Sequence, residues 1–434
     1  MTRKRGILSV PEAVKEITRR LESAGYETWA VGGAVREALA PEPTARPDWD
    51  LATAAEPAEV RKLFRPSYPI GIPFGTVGVR GSDDMVYEVT TFRRDISTDG
   101  RHAVIEYADT IDEDLARRDF TINAIAYHPL RDEIRDPYSG RDDLRRGILR
   151  CVGEPALRFA EDYLRALRGM RFAARYGLEI DPPTWEALQE AVQFLPRLSA
   201  ERVREELMKV LAGLNPAASL ELYHVSGTLT QLLPELARLP DDLWTETLGA
   251  VRCLPADQSL LRLAALLAPA ASEVETIMRR LKFSNAEIRE GQALTEALES
   301  PLPQAGDAVS VRRWLRRVSP ERAESTILLQ RARAEGRGAE KGELATLDEL
   351  QRQVSDAKER GDAVTVADLA INGDDLIVLG LKPGPEFTQI LDACLDAVVE
   401  DPELNERSRL LELVRERHSS QRRSYGRSGG TNGE

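Results

Sequence analysis

Apolar and polar positions change rhythm once along the chain, near residue 150. Before that point, short runs rich in β-branched and aromatic residues stand between Gly, Pro or Asp: ETWAV, DWDLA, GTVGVRG and VYEVTTF. Runs of this kind predict strands. Ahead of them, SVPEAVKEITRRLESAG carries the three-to-four spacing of an amphipathic helix. Ser9 is its expected N-cap, Pro11 lies in its first turn and Gly25 ends it. Helical patterns separate some of the strands, so this part reads as mixed α/β. From about residue 155 the strand signals almost vanish. LRFAEDYLRALRGMRFAARYG, PTWEALQEAVQFL, AERVREELMKVLAGL and SLELYHVSGTLTQLL predict helices, broken at LPADQ, ESPLPQAGDA and GLKPGPE. The fold class is therefore α+β, a small mixed sheet followed by an all-helical part. APEPTARP, ahead of Asp48, reads as an exposed loop, and RHSSQRRSYGRSGGTNGE as a disordered tail.

Composition narrows the function classes. The chain has 434 residues, 42% hydrophobic and 30% charged, enough for several ordinary cores. No long apolar run predicts a membrane span, and the N-terminus lacks the apolar stretch of a secretory signal. Cys151, Cys253 and Cys394 are far apart, form no CxxC pair and fit a reducing cytoplasm. His102, His128, His224 and His418 are scattered, with no HExxH, which argues against a zinc hydrolase. The net charge of −13 argues weakly against a nucleic-acid partner. Local charge reverses that argument. Between Arg141 and Arg175, nine arginines stand against five acidic residues. The tail arginines 415, 417, 422, 423 and 427 either add nonspecific contacts or merely solubilise the end.

The first chemical signal is DWDLAT. On a strand, Asp48 and Asp50 point to the same side, and two carboxylates together can clamp divalent cations. Mg²⁺ suits such hard oxygen ligands when phosphates complete its shell. Taken alone, a D-x-D is more often a solvated strand end. Upstream, WAVGGAVREAL reads as strand, two glycines and a helix start. Gly32 and Gly33 let backbone amides approach a triphosphate, the helix N-terminus favours that anion, and Arg36 offers a fork for phosphate. Strand-GG-helix followed by strand-DxD is the layout of a nucleotidyltransferase palm.

At these residues the chain resembles the class II tRNA nucleotidyltransferase and bacterial poly(A) polymerase family. The resemblance rests on VGGAVRE with DWDLAT, FGTVGVR, YEVTTFR, EDLARRDFTINAIAYHP, DPYSGRDDLRRGILRCVG and FAEDYLRALRGMRFAARYGLEI, in that order. LAINGDDLIVLGLKPGPE further resembles the tail of the CCA-adding members. The resemblance implies a nucleotidyltransferase head or palm at residues 1–148 and a helical neck with a base-reading motif at 149–215. A helical body at 216–300, a helical, tRNA-binding tail at 301–415 and a disordered end at 416–434 follow. It implies that Asp48 and Asp50 hold catalytic Mg²⁺, and that Gly32, Gly33, Arg36, Arg117 and Arg118 lie along the nucleotide. Asp162 and Arg165 would read the base of CTP or ATP, and Arg168 and Arg171 would orient them or meet phosphates. The implied activity is template-independent addition of CCA to the 3′ end of tRNA, with pyrophosphate released. The implied partners are the acceptor and TΨC arms of tRNA, and the implied compartment is the cytoplasm.

Chemistry supports the base-reading pair. Cytosine and adenine each carry an amino donor beside a ring acceptor, so a carboxylate and a guanidinium can serve both. Uracil and guanine place oxygen where the amino group stands, and an unpaired buried polar group costs about 1–3 kcal/mol. On one helix, Asp162 and Arg165 would share a face, whereas Arg165, Arg168 and Arg171 wind around it. Without the upstream motifs, that arginine row reads as a solvated face.

Two departures from the family pattern stand out. Glu37 replaces the usual Asp after the arginine of the GG motif. The segment between Thr90 and Asp119, with TDGR and His102, is slightly short, which keeps CC-addition as a rival to CCA-addition; A-addition, poly(A) synthesis or a silent RNA-binding relative are further alternatives. Glu88 reads equally as a third supporting carboxylate or as a surface strand residue. Asp119 reads as an orienting partner for arginines.

Overall fold

The computed structural model describes residues 7–40, 48–71, 75–98, 103–304 and 306–416. Most of the APEPTARP loop, Asp99 to His102 and the tail from residue 417 lie outside the described residues. The chain divides into two compact units at residue 238, with Arg280–Lys282 belonging to the first.

The first unit carries nine strands ahead of its helical part: β1 (Thr28–Val31), β2 (Asp50–Thr53), β3 (Ser67–Gly71), β4 (Thr76–Arg80), β5 (Val86–Thr91), β6 (Arg93–Thr98), β7 (Ala103–Tyr107), β8 (Ala126–His128) and β9 (Glu133–Arg135). Seven of them form one mixed sheet in the order β3-β4-β5-β2-β1-β8-β9, while β6 and β7 pair as a separate hairpin. The four strands expected from sequence are β1, β2, β4 and β5, the centre of this sheet. β3, β8 and β9 escaped the apolar pattern because they are short or, in β3 and β9, mostly exposed.

All four residues of β1 are buried, since both faces of the sheet are covered. Ala30 and Leu51 face a cluster built on Val14, Ile17 and Leu21 of α1 (Glu12–Ser23) and Ala34 and Val35 of α2 (Gly33–Leu39). Trp29, Val31 and Ala52 face the other way, onto Ile111 and Leu115 of α3 (Ile111–Ala116) and Phe92. Each large side chain buried so adds roughly 1.5–3 kcal/mol, which fixes the strand ends. The expected start of α1 needs correction: Pro11 is its N-cap and Ser9 lies outside it, because proline pre-sets the φ of an entering turn. Gly25, at φ +90°, closes the helix as expected.

Past residue 139 the first unit is mainly helical: α4 (Gly140–Arg146), α5 (Pro155–Glu161), α6 (Leu164–Tyr176), α7 (Pro182–Val192) and α8 (Ala200–Leu211) precede Pro216–Val225. The pattern LRFAEDYLRALRG predicts one helix; the chain makes two. Asp162 is extended (φ −157°, ψ 105°) and its carboxylate Oδ1 accepts from the Leu164 amide, 3.1 Å, so the side chain competes with the helical ladder it interrupts. α6 then packs tightly on the head, where a Cβ at Gly169 would come within 2.9 Å of the Phe120 ring.

Among its described residues the second unit holds helices and no strand, with one core around Trp314, Ile327 and Val354 and another around Leu376, Leu395 and Val398. No helix among the described residues is long and apolar enough to cross a membrane. All three cysteines are free thiols, Cys151 and Cys394 buried and Cys253 exposed.

Candidate nucleotidyl-transfer site

Gly32 joins β1 to α2 at φ +72°, a conformation that L side chains rarely adopt. A Cβ there would stand 3.5 Å from Asp50 Oδ2 and 3.7 Å from Arg118 Nη1. The turn is thus an open cradle with one carboxylate and one guanidinium at its lip. Antiparallel pairing of Val31 with Asp50 brings the acid beside the turn. The expectation that both acids share a strand is corrected: β2 begins at Asp50, and Asp48 lies exposed just ahead of it. Trp49 between them is 3% exposed, and its insertion into the core holds its two acidic neighbours out of it.

Glu88 stands on the exposed face of β5. Parallel pairing of Leu51 with Val89 sets it on the strand beside Asp50. Burial, then the charge of Asp48, then that of Glu88 push the Asp50 carboxyl up from 3.8 to about 6, against the opposing pull of Arg118. Such a surplus of negative charge on hard oxygen donors is what a bound divalent cation relieves, so these residues fit one. Among the described residues no three metal-capable side chains converge into a complete cage.

Arg117 and Arg118 follow α3, whose Thr110 and Glu113 form a capping box. Both arginines end on Asp114, which is 1% exposed: Arg117 Nη2 at 2.7 Å and Arg118 Nη2 at 2.9 Å. Burial opposes ionisation of Asp114, but these two cations outweigh it and hold its pKa below the ordinary value. Arg36 is placed inside the protein rather than toward solvent. It is 6% exposed, donates to Asn123 Oδ1, and lies 4.8 Å from the Phe172 ring centroid and 5.0 Å from that of Tyr176. Glu37 accepts from Arg175 Nη2 at 2.6 Å and from the Tyr176 hydroxyl at 3.1 Å, so its extra methylene reaches α6.

The arginines of α6 each meet a carboxylate. Arg168 donates to Asp119 Oδ2 at 2.8 Å, and Arg171 to Glu206 at 2.8 Å. Asp119 also accepts from Asn123 at 2.8 Å. Despite its burial, Arg168 and that amide hold Asp119 far below the ordinary carboxylate range, as expected of an arginine-orienting partner. Arg165 pairs with Glu161 and donates to the Arg117 carbonyl at 3.2 Å, tying α6 to the end of α3. Asp162 Oδ2 accepts from Arg202 Nη2 of α8 at 2.7 Å. Because the helix breaks at Asp162, the shared-face geometry expected for Asp162 and Arg165 gives way to a turn in which the Arg165 amide bonds the Asp162 carbonyl at 3.0 Å.

Asp114, Arg202 and Glu206 were not singled out from sequence. Asp114 had a readable signal, its spacing of three and four to Arg117 and Arg118. Arg202 and Glu206 reach their partners from another helix, which no local spacing announces.

Comparison with known proteins closes the question of family. A model of the poly A polymerase head domain matches residues 28–150. One described as "Probable RNA and SrmB- binding site of polymerase A" matches 177–239, and a tRNA nucleotidyltransferase domain 2 model matches 257–414. The CCA-adding enzyme of Lactiplantibacillus plantarum is 33% identical, covering 93% of this chain and 96% of its own. That of Geobacillus stearothermophilus is 34% identical, covering 94% and 97%. The crystal structure of the Bacillus stearothermophilus CCA-adding enzyme in complex with CTP superposes with a TM-score of 0.79 at 31% identity, covering 95% of this chain and 98% of that one. The chain belongs to the CCA-adding enzyme family of nucleotidyltransferases, whose membership implies dependence on a divalent metal.

Proposed function

We propose that this protein adds C, C and A to the 3′ end of tRNA, using CTP and ATP without a nucleic-acid template and releasing pyrophosphate, in the cytoplasm. The observation that carries the reading is the Gly32 cradle, with Asp50 and Arg118 at its lip, in a chain alike over nearly its whole length to CCA-adding enzymes.

Asp48 and Asp50 are the residues that would hold Mg²⁺. When bound, the ion supplies positive charge for activating the terminal hydroxyl and neutralising the departing pyrophosphate. The rest of the work falls to the chain itself. Gly32 and Gly33 leave the backbone open to the triphosphate, and Arg118, fixed by Asp114, presents charge to it. Arg117 anchors the same corner. Arg36 braces the turn from inside. Asp162 accepts from the base amino group while Arg165 donates to the neighbouring ring acceptor; Arg168 and Arg171, clamped by Asp119 and Glu206, keep the reading turn rigid. Glu88 supports Asp50 from the adjacent strand. We divide the chain into a head at 1–148, a neck at 149–215, a body at 216–300 and a tail at 301–415. Body and tail hold the acceptor and TΨC arms through shape and backbone, as RNA duplexes are usually held.

The test uses a tRNA transcript lacking its last three nucleotides, Mg²⁺ and labelled CTP, ATP or both, with product length read on a gel. Extension by three with both nucleotides is the expected result. A stop after two would make the protein a CC-adding enzyme, and extension only of a tRNA already ending in CC an A-adding one. No incorporation by folded protein would overturn the reading.

A further inference from the structure

We propose that Tyr68, Ile70 and Val86 form an apolar shelf on the mixed sheet that seats the 3′-terminal nucleoside of the acceptor RNA, whatever its base. The inference rests on the reading of Asp48 and Asp50 as metal ligands given above.

Val77 and Val79 of β4 and Val89 of β5 point into the core that α1 covers. Alternation therefore puts Gly78, Val86 and Glu88 on the opposite face. Antiparallel pairing sets Tyr68 of β3 against Gly78, and Gly78 against Glu88. Parallel pairing of Val89 with Leu51 sets Glu88 beside Asp50. One row across the strands thus reads aromatic ring, glycine, carboxylate, carboxylate. Two strand spacings separate the backbones of Tyr68 and Glu88, about 10 Å. The space above the glycine is filled from both sides. A Cβ at Gly78 would stand 2.5 Å from Ile70 Cδ1 and 3.0 Å from Val86 Cγ1. Ile70 and Val86 therefore close over Gly78 into one apolar surface next to Glu88. That surface is left in water, with Tyr68 38%, Ile70 50% and Val86 42% exposed.

The sheet order says what belongs there. The strands run β3-β4-β5-β2-β1 from the edge inward. On the β1 side of Asp50 lies the Gly32 cradle, which the triphosphate takes. The attacking 3′-hydroxyl has to stand at the acids, and the ribose and base that carry it extend several ångströms farther. The open direction is the β5-β4-β3 side, which is the shelf. Arg80 pairs with Val86 across the hairpin and shares its face. Its ion pair with Asp84 is 48% and 85% exposed and correspondingly weak, so Arg80 can turn to a backbone phosphate of the strand. Aromatic and apolar side chains hold a nucleoside by stacking and contact without reading its edge. Such indifference suits the reaction, because the terminal base changes each time a nucleotide is added.

The experiment uses full chains carrying Val86→Ser alone or Tyr68→Ser, Ile70→Ser and Val86→Ser together. Four tRNA transcripts lacking CCA differ only in their last base. KM for tRNA at saturating CTP, KM for CTP at saturating tRNA, kcat, melting temperature and oligomeric state are measured. The triple variant should raise KM for tRNA about tenfold. The rise should be equal for the four ends, and KM for CTP should stay within about twofold. An unchanged KM for tRNA overturns the shelf. So does a joint rise of both KM values with a lowered melting temperature, which marks a merely structural role. A wild-type dimer that the triple variant dissolves, with KM for tRNA unmoved, would make the edge a contact between copies. Should the triple variant not fold, Val86→Ser carries the test through the same split of KM values. Asp48→Asn with Asp50→Asn separates the two readings. If that variant is inactive and the shelf variants leave KM for tRNA unmoved, the shelf falls and the metal reading stands. If it still incorporates nucleotide while the shelf variants raise KM for tRNA, the metal reading falls and the shelf stands as an RNA contact.

Discussion

The acids at and just ahead of the start of β2, with Glu88 on β5, and the arginines of α6 are held in opposite ways. Among the described residues Asp48, Asp50 and Glu88 form no ion pair, and they crowd one another enough to raise the Asp50 pKa to about 6. Arg165, Arg168 and Arg171 each end on a carboxylate of the protein, and Asp119 and Glu206 are thereby held below their ordinary values against the cost of burial. On the proposed reading, a place that receives a cation with its phosphates gains from leaving its charge unneutralised. On the same proposed reading, a place that recognises a neutral base gains from having its charges already spent, so that geometry alone selects. The nine arginines counted between Arg141 and Arg175 look like an RNA-binding patch in sequence; in the fold, at least seven face protein carboxylates.

The largest expected effect falls on the sheet. Asp48→Asn or Asp50→Asn should lower nucleotide incorporation on the order of 10³-fold, since metal-borne charge supplies several kcal/mol. Their melting temperature should hold or rise, because a mutually repelling charge is removed. A destabilised Asp50→Asn would break the contrast.

Arg168→Ala should do the reverse, costing about 2–3 kcal/mol of stability by leaving Asp119, 8% exposed, without its cation. Denaturant unfolding measures it. Acid sharpens the same contrast, with opposite signs. The depressed groups Asp119, Asp114 and Glu206 add stability that is present above about pH 4 and is lost as pH falls toward their folded values. Asp50, raised from 3.8 to about 6, binds a proton in the folded state before the unfolded chain does, so its contribution is lost as pH rises through that window. With chelator present, Asp50→Asn should flatten the fall between pH 4 and 6 and leave the acid limb unchanged.

Gly32→Ala should cost about 1–2 kcal/mol for its left-handed backbone, and should reduce incorporation by narrowing the cradle. The smallest effect is Arg145→Ala. Its ion pair with Asp142 is 76% and 59% exposed, and stability should change by less than about 0.5 kcal/mol.

Much of the first unit was legible because its chemistry lies on local signals. Strand, Gly32–Gly33 and helix are contiguous, and Asp48–Trp49–Asp50 announces itself through one apolar residue between two acids. The helix-rich second unit was legible from period alone. The rest depended on contacts between distant segments. The break at Asp162 is invisible to a helical pattern, because Tyr163 and Leu164 keep the apolar spacing across it. The inward turn of Arg36 requires Phe172 and Tyr176, well over a hundred residues away. β3 and β9 exist because neighbours offer them a ladder, while their own residues are largely exposed.

The most direct test of the contrast is Mn²⁺ binding followed by electron paramagnetic resonance, comparing the wild-type chain with Asp48→Asn/Asp50→Asn and with Arg168→Ala in the absence of nucleotide. The account predicts binding by the wild type and by Arg168→Ala, and its loss in the aspartate double variant. Equal Mn²⁺ uptake by all three would contradict the claim that the sheet acids are left unpaired to take a cation.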